Sequence, residues 1–245
     1  MLEFAFAAAA VFLAAFTQGL IGFGSGIIAL ALLAMIWEIQ QVVAVTSVFS
    51  ILICIVLVWR LRRHIVVAEI RPLLFGAAFG IPLGVIALLK VDAGLIKGIL
   101  GLLLVVYVLW SLRGRQAGGD KLSRKWAFPA GFFSGVLTGA FNTGGPPAVI
   151  YGAERDWGTH GFRANIQSFF TPCAALALYF YIDNGIITSA TLNLNLQLFA
   201  FLLLGMFLGD RLADHVQPEL FRRIILGALF LIGVFYMRDF FAWVV

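Results

Sequence analysis

Seven residues, Phe141-Asn142-Thr143-Gly144-Gly145-Pro146-Pro147, interrupt an apolar stretch with an amide, a hydroxyl, two glycines and two prolines. Prolines directly after glycines read as a helix start, because proline fits the first turn, where its missing N–H costs nothing. A helix that begins inside hydrocarbon aims its remaining N–H groups and the positive end of its dipole at whatever sits there. That is the chemistry of an anion site. Asn142 and Thr143 add neutral donors, so Asn142, Thr143, Gly144 and Gly145 form the first candidate binding set. The same side chains could cap the helix that begins at Pro146 and satisfy a nearby carbonyl, and capping is compatible with binding.

A second polar break, Gly22-Phe23-Gly24-Ser25-Gly26, lies in the first apolar stretch after Phe16-Thr17-Gln18. Gln18, Gly24, Ser25 and Gly26 are the matching candidates there, with interhelical hydrogen bonding as the structural alternative for the polar side chains. Thr46 and Ser50 are four apart and share a helix face, as do Gln167 and Thr171. These stripes read as walls of a cavity, with Thr46, Gln167 and Thr171 as binding candidates. Arg163 is a candidate gate that attracts anions from the cytoplasm, or an interfacial anchor that snorkels. Asn193 and Gln197 also share a face and read as helix–helix glue.

Other chemistries have no residues to carry them. His64, His160 and His215 are scattered, and no metal set, nucleophile–base pair or nucleotide loop is present in the sequence. Neither an enzyme, a cofactor, a metal site nor a nucleic-acid partner is expected. Cys54 and Cys173 lie in apolar segments and read as small buried hydrophobes.

The elements that must position these residues are membrane helices. The 245 residues are 62% hydrophobic and 12% charged, about half the charged share of a soluble domain. Eight apolar segments run near 2–35, 42–58, 72–89, 95–112, 128–151, 169–181, 187–208 and 221–244. The polar linker 113–125 divides them into two halves, a first repeat at 1–116 and a second at 117–245, within one membrane domain. The halves correspond: at a constant offset Thr46 pairs with Thr171, Gly80 with Gly205, Gly84 with Gly209, Lys97 with Arg222 and Ile99 with Ile224. Gly80, Gly84, Gly205 and Gly209 have the small-xxx-small spacing of close helix packing.

Lys and Arg decide the orientation, since they gather on the cytoplasmic side. If all eight segments span, 10 basic residues fall inside and 7 outside. If the first segment of each half enters and leaves on one side, Arg155, Arg163, Arg211, Arg222 and Arg223 move inside and Arg238 moves out, giving 14 against 3. The expected fold is therefore an all-α polytopic membrane protein: two four-segment inverted repeats, each opening with a segment broken or re-entrant at a Gly-rich tip. The tips are expected to meet near the midplane. Kinked spanning helices are the rival.

The paired motifs Phe16-Thr17-Gln18-Gly19-Leu20-Ile21-Gly22-Phe23-Gly24-Ser25-Gly26 and Phe133 through Pro147, at this repeat spacing, resemble the sulfite exporter TauE/SafE family, also called the 4-toluene sulfonate uptake permease family. The resemblance covers nearly the whole chain. Members often show three glycines and a proline where this first half has Gly24-Ser25-Gly26 without one. The resemblance implies a multi-pass protein of the bacterial inner membrane that moves a small sulfur-containing anion, sulfite or an organosulfonate. The expected function is a secondary transporter, an exporter working by alternating access. An anion or small-solute channel, or a permease for another small organic anion, is the alternative. The expected partners are the small anionic substrate and the lipid bilayer, and a homo-oligomer is left open.

Overall fold

An apolar run in hydrocarbon must satisfy its backbone internally, and a helix does so within one segment. The computed structural model of the chain describes residues 2–21, 24–112, 122–155, 157–212 and 218–244. Among them every regular element is helical. Ten α-helices follow one another: α1 (Leu2–Ile21), α2 (Ser25–Leu33), α3 (Ile39–Leu61), α4 (Val67–Lys90), α5 (Ala93–Leu112), α6 (Ala127–Phe141), α7 (Gly145–Ala153), α8 (Gly158–Asp183), α9 (Ser189–Leu212) and α10 (Pro218–Val244). Five of these, α1, α3, α4, α5 and α9, are long and apolar enough to cross a membrane.

Both segments expected to be broken are broken, 2–35 into α1 and α2 and 128–151 into α6 and α7. Gly22 and Phe23 of the first tip, most of the linker at 113–125, and His215 lie outside the described residues. One boundary differs widely. α8 starts at Gly158, well before the expected 169, because its first turns carry polar side chains that hydropathy rejects. Asn165 and Gln167 within them are nonetheless buried.

The chain forms two compact units, and each draws on both halves of the sequence. Unit 1 comprises Met1–Val42, Val91–Arg115 and Ser189–Val245, which hold α1, α2, α5, α9 and α10. Unit 2 comprises Val43–Lys90 and Gln116–Thr188, which hold most of α3 with α4, α6, α7 and α8.

Glycine contacts set the packing inside each unit. In unit 2 a Cβ on Gly76, Gly80 or Gly84 of α4 would strike the backbone of α6, at Phe128–Phe132, Phe132–Val136 and Val136–Ala140 in turn. Equal steps in the same direction make the two helices parallel. Gly131, Gly135 and Gly139 of α6 meet the backbone of Leu73, Ala77 and Ile81 in the same way. Six glycines thus bring two helix backbones into contact, the small-residue packing that membranes favour. In unit 1, Gly205 and Gly209 of α9 lie against Phe12 and Phe16 of α1, and Gly19 of α1 against Met206 and Asp210, again in parallel. The four glycines marked by spacing all serve such contacts.

Candidate functional site

The tip of unit 2 reverses the chain. α6 ends at Asn142, whose left-handed backbone (φ 53°) is rare outside glycine, though asparagine tolerates it. Its N–H donates to the Thr138 carbonyl at 2.8 Å and the Thr143 N–H to the Leu137 carbonyl at 3.3 Å. The chain then doubles back along α6. The Ser134 hydroxyl donates to the Gly144 carbonyl. A Cβ on Gly144 would lie 2.5 Å from the Ser134 carbonyl and 3.0 Å from its hydroxyl, so only glycine fits. Beyond α7, Arg155 Nη1 donates to the Leu122 carbonyl at 3.0 Å, just ahead of α6. The far end of α7 therefore returns to the level where α6 began, and α6 and α7 form a hairpin.

Four further contacts brace the tip. Tyr181 of α8 sets its hydroxyl 2.7 Å from the Thr138 carbonyl, which also takes the Asn142 N–H, and 3.0 Å from the Gly139 carbonyl, in the last turn of α6, where helical partners run out. Asn142 Nδ2 donates to Thr46 Oγ1 at 3.3 Å and to Ser50 Oγ at 3.0 Å, on α3. Thr46 and Ser50 are the eighth and twelfth of the 23 residues of α3, so the tip stands near the middle of a spanning helix.

Both amide hydrogens of Asn142 are thus directed to α3. Pro146 and Pro147 have no N–H, so of the four groups normally left over at a helix start, Gly144 and Gly145 supply the only donors. Thr143 adds a third. Its hydroxyl is buried without a hydrogen-bond partner, in a residue that is 4% exposed. An unmade hydrogen bond on a buried polar group costs about 1–3 kcal/mol, so an orphan beside a helix N-terminus marks a place where something polar can bind. Gly145 has room for a Cβ, which would make only an ordinary contact with Phe170 Cζ at 3.9 Å.

The other candidates of unit 2 are arranged around this tip to different degrees. Thr46 joins it through Asn142. Thr171 donates to the Gln167 carbonyl at 2.9 Å, within its own helix, and Gln167 is buried. Ser168, between them, has a buried hydroxyl without a partner. Arg163 is exposed near the start of α8. Cys54 and Cys173 are free and buried, in line with small apolar residues.

The first-half candidates lie in unit 1, at its own tip. Gly24 takes φ 101° ahead of α2. The Ser25 N–H donates to Gln18 Oε1 at 3.2 Å, which ties the start of α2 to the last turns of α1. Gly26 follows in the first turn. With no proline here, the helix start keeps the N–H groups of Gly24, Ser25, Gly26 and Ile27. Tyr236 of α10 donates to the Ala31 carbonyl at 2.7 Å and holds α2 from the side. The Asn193 and Gln197 face of α9 is exposed, and the buried amide is Asn195, whose nitrogen and oxygen have no partner among the described residues.

Sequence reasoning missed the residues that hold the second tip. Ser134 and Thr138 are four apart on one face of α6, ahead of Asn142, which was a usable signal. Thr138 Oγ1 donates to the Ser134 carbonyl at 2.8 Å. Tyr181 carried no local signal. The basic end of unit 2 was also unread: Asn165 Oδ1 accepts from the Val66 N–H at 2.7 Å, and Arg124 donates to the Ala68 carbonyl.

Five helices long and apolar enough to cross a membrane, with buried polar tips at the breaks between helices, define a multi-pass integral membrane protein. The sequence profile described as "Sulfite exporter TauE/SafE" matches residues 7–236, nearly the whole chain, and the chain belongs to that family. The family is one of membrane transporters for sulfur anions. No curated protein and no solved structure matches the chain.

Proposed function

We propose that the protein carries sulfite or a small organosulfonate outward across the bacterial inner membrane, and that the tip at Asn142–Gly145 is where the anion binds. The observation that carries this reading is the buried, unpartnered Thr143 hydroxyl beside the start of α7. With the Gly144 and Gly145 N–H groups it offers three neutral donors at the positive end of a helix dipole. Asn142 serves that set by fixing the tip to α3, and its contact orients the Ser50 hydroxyl as a further donor. A site without a fixed cation lets an anion leave as well as bind. Membership in the family supports the substrate class.

The reading includes two inverted repeats whose first segments re-enter the membrane, and alternating exposure of the tip to the two sides. The return of Arg155 to Leu122 supports re-entry in the second half, and the lysine and arginine distribution supports it in both. α6 and α7, with 15 and nine residues, are each short of the ~20 that cross a bilayer.

Flux into proteoliposomes tests the function. Sulfite or taurine uptake that saturates and is competed by the other sulfur anions, but not by chloride, is the expected result. Unsaturable flux without competition would make the protein a channel. Single cysteines at Glu3 and Ala117 test the repeats. Labelling from opposite faces of the membrane is expected, and labelling from one face would restore eight plain spans.

A further inference from the structure

The basic end of unit 2 contains an arrangement that the tip does not use. Glu69, in the first turn of α4, takes a fork from Arg155, with Nε to Oε2 at 3.1 Å and Nη2 to Oε1 at 3.1 Å. Trp157 Nε1 donates to the same carboxylate at 3.3 Å. The Trp157 ring stands edge-on to Tyr151, with centroids 6.0 Å apart. The Tyr151 hydroxyl is buried without a partner. Arg124 is held to the Ala68 carbonyl, one residue from Glu69. One guanidinium fork and an indole N–H therefore hold one carboxylate, with a second guanidinium on the neighbouring backbone and an unsatisfied phenol on the ring that packs against the indole.

We propose that Arg155 is a second oxyanion station, and that Glu69 fills it as a resident carboxylate which an incoming oxyanion displaces. The inference rests on the reading of the chain as a carrier of small oxyanions. A guanidinium fork matches any oxyanion that presents two oxygens side by side, so a sulfonate or sulfite can take the place of a carboxylate there. The exchange is accessible, because the Arg155 and Glu69 side chains are 21% and 17% exposed. It is also inexpensive, because a partly buried ion pair lies near balance between Coulomb gain and desolvation. A displaced Glu69 remains at the start of α4, where the helix dipole favours it.

The station is joined to the tip. Arg155 lies two residues past α7, the nine-residue helix that begins at Gly145. Replacing Glu69 by a free anion releases α7 from α4 while the Arg155 contact to Leu122 remains. Anion arrival at the basic end thus loosens one end of the helix whose other end forms the tip.

Sulfite binding to the purified full chain in detergent, followed by titration calorimetry with chloride as control, tests the proposal. Glu69→Gln keeps the shape and removes the competing charge. It should bind sulfite about ten-fold more tightly, within the usual range of coupling between sites, and Arg155→Gln in the same background should abolish the gain. Affinity of Glu69→Gln within two-fold of wild type would overturn the proposal. Should Glu69→Gln fail to fold, tryptophan fluorescence of the wild type is the second measurement. A sulfite-dependent change that Trp157→Phe removes supports the station, and the same change in both proteins overturns it. Thr143→Val separates the two sites. If it has no effect while the Glu69→Gln gain persists, the tip reading fails and the station stands. If it abolishes binding while Glu69→Gln changes nothing, the station fails and the tip stands.

Discussion

The two halves of the chain break their first long helix in corresponding places and hold the break by different means. In unit 1 the turn rests on Gly24 at φ 101°, with open space around it, and among the described residues the Ser25 N–H at the helix start donates to the Gln18 side chain. In unit 2 the turn rests on Asn142 at φ 53° and is braced by Ser134, Tyr181, Thr46 and Ser50. The first tip has all four N–H groups of its helix start, one of which, from Ser25, goes to Gln18. The second gives up two of them to Pro146 and Pro147. Proline thus exchanges donors for rigidity, and the half with fewer donors is the one whose remaining groups are fixed in place. An anion site needs aimed donors more than many donors, since orientation settled beforehand is not lost on binding.

Substitutions can break or sharpen this comparison. The largest effect is expected at Gly144. Gly144→Ala forces a methyl group into Ser134 and Thr138, and should cost about 3 kcal/mol in folded stability, as overpacking does. Gly145→Ala, whose methyl group would make only an ordinary contact with Phe170, should change stability by less than about 0.5 kcal/mol. Equal thermal unfolding of the two variants would mean that the tip is not braced by α6.

At the first tip the demand is conformational. Gly24→Ala meets no atom but must adopt a left-handed backbone, for roughly 1–2 kcal/mol. Gly24→Asn should recover part of that loss, because asparagine visits this region, as Asn142 does in the other half. If asparagine is no better than alanine in thermal unfolding, the backbone angle is not what glycine supplies there. A smaller loss, about 1 kcal/mol, is expected for Gln18→Leu, which removes the acceptor of the Ser25 N–H. No loss would detach Gln18 from the first tip.

Much of this arrangement was legible in the sequence. Glycine, proline and asparagine inside an apolar run have few uses, so both breaks could be placed, and the repeated spacing of Gly80, Gly84, Gly205 and Gly209 announced close packing. Which helices meet through those glycines was not legible. The repeat pairs α4 with α9 in sequence, whereas in space α4 lies on α6 and α9 on α1, each a partner from the opposite half. Likewise Asn142 was identifiable as a tip residue, but its direction was not. The amide turns to Thr46, 96 residues away, a choice made by tertiary packing. Glu69 and Arg155, 86 residues apart, lie among ordinary interfacial charges until the hairpin returns one to the other. The early start of α8 was missed because buried amides make a helix look like a loop to hydropathy.

The central claim is that the second tip binds the anion through a hydroxyl that has no other partner. Thr143→Val tests it most directly, because valine keeps the shape and deletes only that group. Removing an unsatisfied buried hydroxyl should leave thermal stability unchanged or slightly raised. Sulfite flux into proteoliposomes, measured on the same preparation, should fall about ten-fold, the loss of one hydrogen bond to a charged ligand. Wild-type flux in a stably folded Thr143→Val protein would contradict the account and return the tip to a purely structural role.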